Sequence, residues 1–256
     1  MLFRRLAKSI TDQNWFTVGV ELIILVIGVF LGIKVANWND ESNDAVREQK
    51  ALVAILADLK RDERSLTNSI DMSQINIETS NYLLERAGFA PITKLELPVA
   101  NSAIFEEPSI LVEVSDEPIP ADSRDLWKKA TLHYYATQND AALSALITSG
   151  DLDLINDPAL LVELQSYSAQ WYSVKNANNT TFRSFRDQTV FVGQKFGLSP
   201  FVEIDDTELI ELMKNEPELL GAVRTLLEFT VLQKESLETV REAALDLIET
   251  IEAQVN

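Results

Sequence analysis

Between Trp15 and Trp38 the chain is apolar, and the stretch from Leu22 to Ile33 within it carries no charged or strongly polar side chain. The two indoles lie 23 residues apart, roughly 35 Å at the helical rise. That is enough to cross the hydrocarbon of a bilayer and set both rings among the headgroups. Such a chain must satisfy two solvents, a helix in lipid and, in residues 39–256, a core of its own in water. Trp15, Lys34 and Trp38 are the expected interfacial anchors, with the Lys34 ammonium reaching out to the headgroups along its aliphatic stem.

The flanks suggest an orientation. Arg4, Arg5 and Lys8 precede the span against Asp12, whereas Asp40, Glu41 and Asp44 follow it, so the basic-inside bias places the N-terminus in the cytoplasm. A cleavable signal peptide is the rival reading, because the uncharged core is short and its leading segment basic. Cleavage after Ala36 would put Lys34 where a small residue is wanted, and that favours an uncleaved anchor. The expected division is a cytoplasmic segment 1–14, a transmembrane helix 15–38 and an extracytoplasmic domain 39–256.

Beyond Lys34 the chain holds 18 basic and 38 acidic residues, a net charge of −20. A surface that acidic repels phosphate backbones, so nucleic acid is not an expected partner. Cysteine is absent, which excludes disulfides and thiolate metal sites and leaves stability to packing.

Glycine and proline punctuate the rest. Neither occurs from Ile33 to Ala87, and Gly88 and Pro91 then close the stretch, so a long helix is expected there. Leu52, Leu56, Leu59, Leu66, Ile70, Ile77 and Leu84 make its apolar stripe. The cluster Asp58, Lys60, Arg61, Asp62, Glu63 and Arg64 reads as a solvated face, and a break near 39–43 as a possible joint between anchor and stalk. Residues 89–121 hold Pro91, Pro98, Pro108, Pro118 and Pro120 around the β-favouring run 109–114, so an irregular insertion with one or two short strands is expected, either a recognition surface or a cap on the bundle. Helical pattern resumes at Asp122 and runs to Thr148, closed by Ser149 and Gly150; Asp157 and Pro158 then start another helix as cap and first-turn proline. Its stripe, Leu160, Leu164, Tyr167, Trp171, Val174, Phe182, Phe185 and Phe196, reads as core. A short helix near 207–214 precedes a final helix with a three-four repeat from Leu220 to Val255, whose polar members Thr230, Lys234 and Arg241 suit a seam in an antiparallel bundle. The expected fold is all-α, an N-terminal transmembrane helix followed by an elongated antiparallel bundle with a Pro-rich irregular insertion.

The run from Glu21 through the apolar span to Asn37-Trp38-Asn39-Asp40-Glu41 resembles the opening of a bacterial family of single-pass membrane proteins, a domain of unknown function whose span ends in Asn-Asn-Trp-Asn-Glu. Ala36 replaces the first Asn, and Asp40 intervenes before Glu41. Leu146 to Asp157 is similar to that family's Leu-x-x-Ser-Gly-Asn-Leu-x-x-Ile turn. The resemblance implies an anchored helical domain in the bacterial inner membrane, and no activity.

Chemistry finds few candidates. Glu21 sits six residues inside Trp15, about 9 Å along the helix, where a lone carboxylate is costly. It is either a helix–helix or proton-sensitive contact, or it lies one turn nearer the headgroups. Gly28 and Gly32 form a GxxxG spacing that admits a second helix closely, on nearly the same face as Glu21. These three are the expected membrane helix–helix contact. His133, the one histidine, lacks a nucleophile motif; packing beside Tyr134 and Tyr135 is the better account. Asp151, Asp153 and Asp157 superficially suggest a calcium loop, but Asn156 holds the glycine position and Pro158 follows, so capping explains Asp157 better. No catalytic, cofactor or metal residues are expected. The expected partners are the lipid bilayer and either a second copy or another membrane protein, reached through the transmembrane helix. Three functions stand open: a non-enzymatic interaction or assembly component, a ligand-sensing ectodomain that signals through a membrane partner, and an ion-coupled subunit using Glu21.

Overall fold

The structure, a computed structural model, describes residues 15–96, 109–115, 119 and 123–255. The side chains of residues 15–21 and of Asp40 are outside that description, and so are Arg4, Arg5, Lys8, Asp12, Pro98, Pro108, Pro118 and Pro120.

Helix α1, Trp15–Arg86, is 72 residues long, about 110 Å of continuous helix. No joint interrupts it at 39–43: the capping residues there remain helical because the i to i−4 ladder runs on through them. Among the described residues the first part of α1 meets no other element, and every described side chain from Leu22 to Asn39 is exposed. One helix is therefore long and apolar enough to cross a membrane. Ten of the twelve residues from Leu22 to Ile33 are large apolar ones, and on insertion scales they favour bilayer over water by about 3–6 kcal/mol together.

From Leu52 onward α1 turns one face inward. Leu52, Ile55, Leu59, Leu66, Ile77 and Leu84 are buried, while Leu56 and Ile70 are half-buried at the edge of that stripe. Gly88, at φ +90°, stops the helix, and the Phe89 N–H donates back to Leu84 O at 2.9 Å.

Strands β1 (Lys94–Glu96) and β2 (Ser109–Leu111) pair antiparallel. Ile92 and Val112 pin this small ribbon to the core, and the Asn81 side chain bonds both Ile92 N (2.8 Å) and Ile92 O (3.0 Å). The helical stretch expected over 122–148 is split into α2 (Leu126–Thr131) and α3 (Ala141–Ser149), with residues 132–140 non-helical between them. Gly150, at φ +77°, ends α3, and Asp151 N donates to Leu146 O at 3.0 Å, a left-handed C-cap.

A short 3₁₀ turn, Leu152–Leu154, leads to α4 (Pro158–Ala177). Asp157 caps α4 as expected, accepting from Ala159 N at 2.9 Å and Leu160 N at 3.3 Å. A π-helical turn, Asn178–Phe182, joins α4 to α5 (Arg183–Gln194) without a break. The extra residue of that turn keeps Phe182 buried and Phe185 stacked on Phe229 at 3.9 Å. Helices α6 (Asp206–Asn215) and α7 (Pro217–Val255) complete the chain.

Contacts set the directions. Lys60 meets Glu252 at 2.5 Å and Arg241 meets Glu63 at 3.3 Å, so α7 runs antiparallel to α1. Asp157 meets Gln254, Asn178 meets Gln233, and Thr189 meets the Ala222 carbonyl, so α4 and α5 also oppose α7 and run parallel to α1. The fold is all-α, as expected. Its core has two lobes, one around Leu66, Leu164, Trp171 and Leu237 nearer the apolar segment of α1, the other around Ile77, Trp127, Leu209 and Leu227 beyond it.

Gly193 in α5 lies beneath the indole of buried Trp127, and a Cβ at Gly193 would overlap that ring. Gly193→Ala should therefore destabilise the bundle by about 2–3 kcal/mol, although alanine is the better helix former. Urea unfolding of the full chain in detergent checks this; an unchanged midpoint would mean that the ring has room to move.

Candidate functional site

The most unusual local feature is a row of polar side chains on the inward face of α1. Asp58, Asp62, Ser65, Ser69, Ser73 and Asn76 are all buried, at spacings of three and four that place them along one side of a helix. The expectation of a solvated charged face fails for Asp58 and Asp62, which are 6% and 1% exposed. Burying a carboxylate without partners is costly; Asp58 keeps an ion pair with Arg61 at 2.5 Å, and most other partners of the row lie in residues 129–142.

Going down α1, Asn76 Nδ2 donates to the carbonyls of Lys129 and Leu132. Ser69 Oγ donates to Tyr134 O at 2.6 Å, and Ser65 Oγ accepts from Thr137 N at 2.9 Å. Asp62 Oδ1 accepts from Asn139 N at 2.5 Å and Asn139 Nδ2 at 3.0 Å, while its Oδ2 accepts from the Tyr167 hydroxyl at 2.9 Å. Asp58 Oδ2 accepts from Ala142 N at 2.9 Å, so α1 supplies the cap that Asp140, with no side-chain cap bond of its own, does not. Residues 132–140 thus form a non-helical strap, because α1 satisfies backbone groups that a helix would have paired internally.

Two of the titratable groups along the strap, Asp62 and His133, bear on its response to pH. Burial pushes the Asp62 carboxyl above its ordinary value, opposed by the bonds from Asn139 and Tyr167 and reinforced by nearby Asp58. Burial also lowers the His133 imidazole to about 4, with the Arg186 guanidinium adding to the effect and the Thr131 carbonyl opposing it. His133 Nδ1 lies 3.3 Å from Thr131 O and Nε2 3.1 Å from Thr230 Oγ1. The Thr230 hydroxyl donates to Leu226 O at 2.8 Å, so toward the ring it can only accept, and the one proton of the neutral imidazole serves either the Thr131 carbonyl or the Thr230 oxygen.

Between the strap and α4 lies a cleft of about 350 Å³, lined by Tyr135 to Gln138 and Asp140 on one side and by Trp171, Lys175, Asn178, Asn179 and Arg183 on the other. The π-helical turn supplies Asn178 and Asn179 to its wall. Gln233 Nε2 donates to Asn178 Oδ1 at 2.9 Å, which leaves the Asn178 amide donors for the cleft. Arg183 stacks over the Tyr135 ring at 5.2 Å.

Of the residues singled out in the sequence, His133 lies on the strap, and those of the apolar span lie elsewhere. Gly28 and Gly32 share one side of the exposed part of α1, and a Cβ at either would meet nothing within 4 Å. Lys34 and Trp38 are exposed one to three turns further along. Trp15 and Glu21 belong to the same helix, but their side chains lie outside the described residues. Asp151, instead of joining a calcium loop, pairs with Arg47 at 3.2 Å. The three-four recurrence of Asp, Ser and Asn from 58 to 76 marks the polar row on α1, but no local pattern marks the strap it binds.

No family model, no curated protein and no solved structure matches this chain. The cleft and the anchor face therefore carry no function transferred from a relative.

Asp62→Ala would strand the Asn139 amides and the Tyr167 hydroxyl and should cost about 3 kcal/mol, against less than about 0.5 kcal/mol for exposed Asp71→Ala; urea midpoints decide. For His133 the folded value lies below the unfolded one, so the unfolded chain binds the extra proton. Its contribution is intact above pH 6.5 and is lost as pH falls toward 4, by about 2–3 kcal/mol. Asp62, whose value is raised, acts with the opposite sign in its own range. The comparison is therefore with His133→Gln, which should remove the loss between pH 6.5 and 4 that the parent chain shows; parallel profiles for the two would refute it.

Proposed function

We propose that this chain is a membrane-anchored, non-enzymatic interaction or assembly component, held in a bacterial inner membrane with its N-terminus in the cytoplasm and its helical bundle on the other side. The supporting observation is the continuity of α1. The same helix that exposes the apolar run from Leu22 to Ile33 becomes the longest wall of the bundle core without a break. A helix that associates sideways in the bilayer would thus carry its bundle into register with a neighbour's.

The contact face of the anchor is the one bearing Gly28 and Gly32, with Glu21 seven residues before Gly28. Two glycines one turn apart let backbones approach closely where lipid offers no hydrophobic drive, and among the described residues nothing lies within 4 Å of a Cβ built on either. The partner is a second copy or another single-pass helix.

A ligand-sensing role is the second reading, favoured by one observation, the polar cleft between strap and π-helical turn. A receptor of this form would relay its signal through the membrane partner.

Gly28→Leu and Gly32→Leu should each reduce self-association in a membrane two-hybrid assay by about tenfold, and Glu21→Ala should reduce it less. Association unchanged in all three would leave the lateral-contact idea without support. Protease added to spheroplasts should digest residues 39–256; a protected bundle would reverse the orientation.

A further inference from the structure

The cleft beside the strap has an unusual charge pattern. Asp140 lines one end, next to the wall formed by Leu164 and Ser168. Arg183 lies at the other end against Tyr135, with Lys175 on α4 between them. Among the described residues neither Lys175 nor Arg183 forms an ion pair, and Asp140 has no charged or capping partner, although all three line one cavity. Opposite charges that share a cavity without pairing leave room for something between them.

The walls add hydrogen-bonding groups in a definite arrangement. The Thr137 and Asn139 N–H groups are committed to α1. Among the described residues, the N–H groups of Ala136 and Gln138, which alternate with those two, have no hydrogen-bond partner, and both residues line the cleft. Asn178 and Asn179 face them from the π-helical turn. The Tyr135 hydroxyl is enclosed and, though Arg186 approaches it, meets no partner in hydrogen-bonding geometry. The cleft thus offers a carboxylate at one end, a guanidinium and an ammonium toward the other, and two unpaired backbone N–H groups of the strap between them.

We propose that this cleft binds a short peptide with free termini. Its N-terminal ammonium meets Asp140, its C-terminal carboxylate meets Arg183 and Lys175, and its backbone adds to the strap edge as an extended strand. The charge order makes the bound peptide antiparallel to residues 135–140. A free phosphate would leave Asp140 facing a like charge. Asp140 lies beside Ser168, and Arg183 is fifteen residues further along α4 and α5, roughly 20 Å of helix, which a single α-amino acid does not span. At about 350 Å³ the cavity is at the lower end of the range for small-ligand sites, which suits two or three small residues. The inference gives the sensing reading its ligand class but does not depend on signalling or on association of the anchor, because it concerns binding alone.

The test uses the full chain in detergent at pH 7.5 with trialanine as the probe, read by the thermal unfolding midpoint and by calorimetric titration. Trialanine at 5 mM is expected to raise the midpoint by about 3 °C. N-acetyl-trialanine and trialanine amide should each bind at least tenfold more weakly, and the doubly blocked peptide not at all. Asp140→Asn keeps a residue suited to a helix start, and Lys175 and Arg183 are both exposed, so Asp140→Asn and the double variant Lys175→Gln/Arg183→Gln should fold. Each is expected to abolish the shift, with the midpoint without peptide within a degree or two of the parent. No shift with trialanine, or equal binding of the free and blocked peptides, or binding that survives both variants, overturns the proposal. Loss of self-association by the anchor variants with peptide binding intact would separate this site from the lateral contact.

Discussion

The interaction on which the bundle depends is the satisfaction of buried polar groups on one face of α1. Asp58, Asp62, Ser65, Ser69 and Asn76 have been taken out of water, and each unpaired group would cost more than an average apolar contact returns. Their partners are backbone groups of residues 129–142. The requirement runs both ways, since the strap can stay non-helical inside a helical protein only because α1 replaces the bonds it forgoes. Tyr167 extends the arrangement to α4 by donating to Asp62, so a third element is aligned by the same row.

From this follows the location of the cleft. A strap drawn against α1 cannot also fill the space beside α4, where a continuous helix over 122–148 would have packed. The π-helical turn contributes from the other side. Its extra residue keeps the aromatic face of α4 and α5 directed at α7, and it sets Asn178 and Asn179 beside the strap. The opening is thus a by-product of two departures from regular helix, each with its own structural cause.

Much of the fold was legible in the sequence. Helix ends were marked by residues with a single physical use: Gly88 and Gly150 in left-handed caps, Asp157 and Pro158 at a helix start, each in place. The aromatic stripe from Leu160 to Phe182 is buried as its spacing indicated. The polar seam of α7 was legible too, with Thr230 buried and Arg241 bonded to Thr67 at 2.9 Å. The strap was not legible, because residues 132–140 do not look unlike a helix. What holds them extended lies 56 to 84 residues away along the chain, beyond any local pattern. The Asp58 to Arg64 cluster misled for a related reason: charge density suggests solvent, and only the partner backbone makes burial tolerable. The joint at 39–43 misled because capping residues permit a helix to start and do not require one to end.

The unbroken course of α1 has a further meaning for how such a chain can vary. A helix advances by about 100° per residue, so the angle between the glycine face at 28 and 32 and the polar row beginning at Asp58 is set by the number of residues between them. A one-residue insertion there would swing the bundle about a quarter turn around its anchor, whereas seven residues would return it to within about 20°. The segment between Trp38 and Asp58 therefore works as a phase coupling, in which length counts for more than composition. How the bundle faces relative to the apolar end of α1 is dictated by the rotational setting of that one helix.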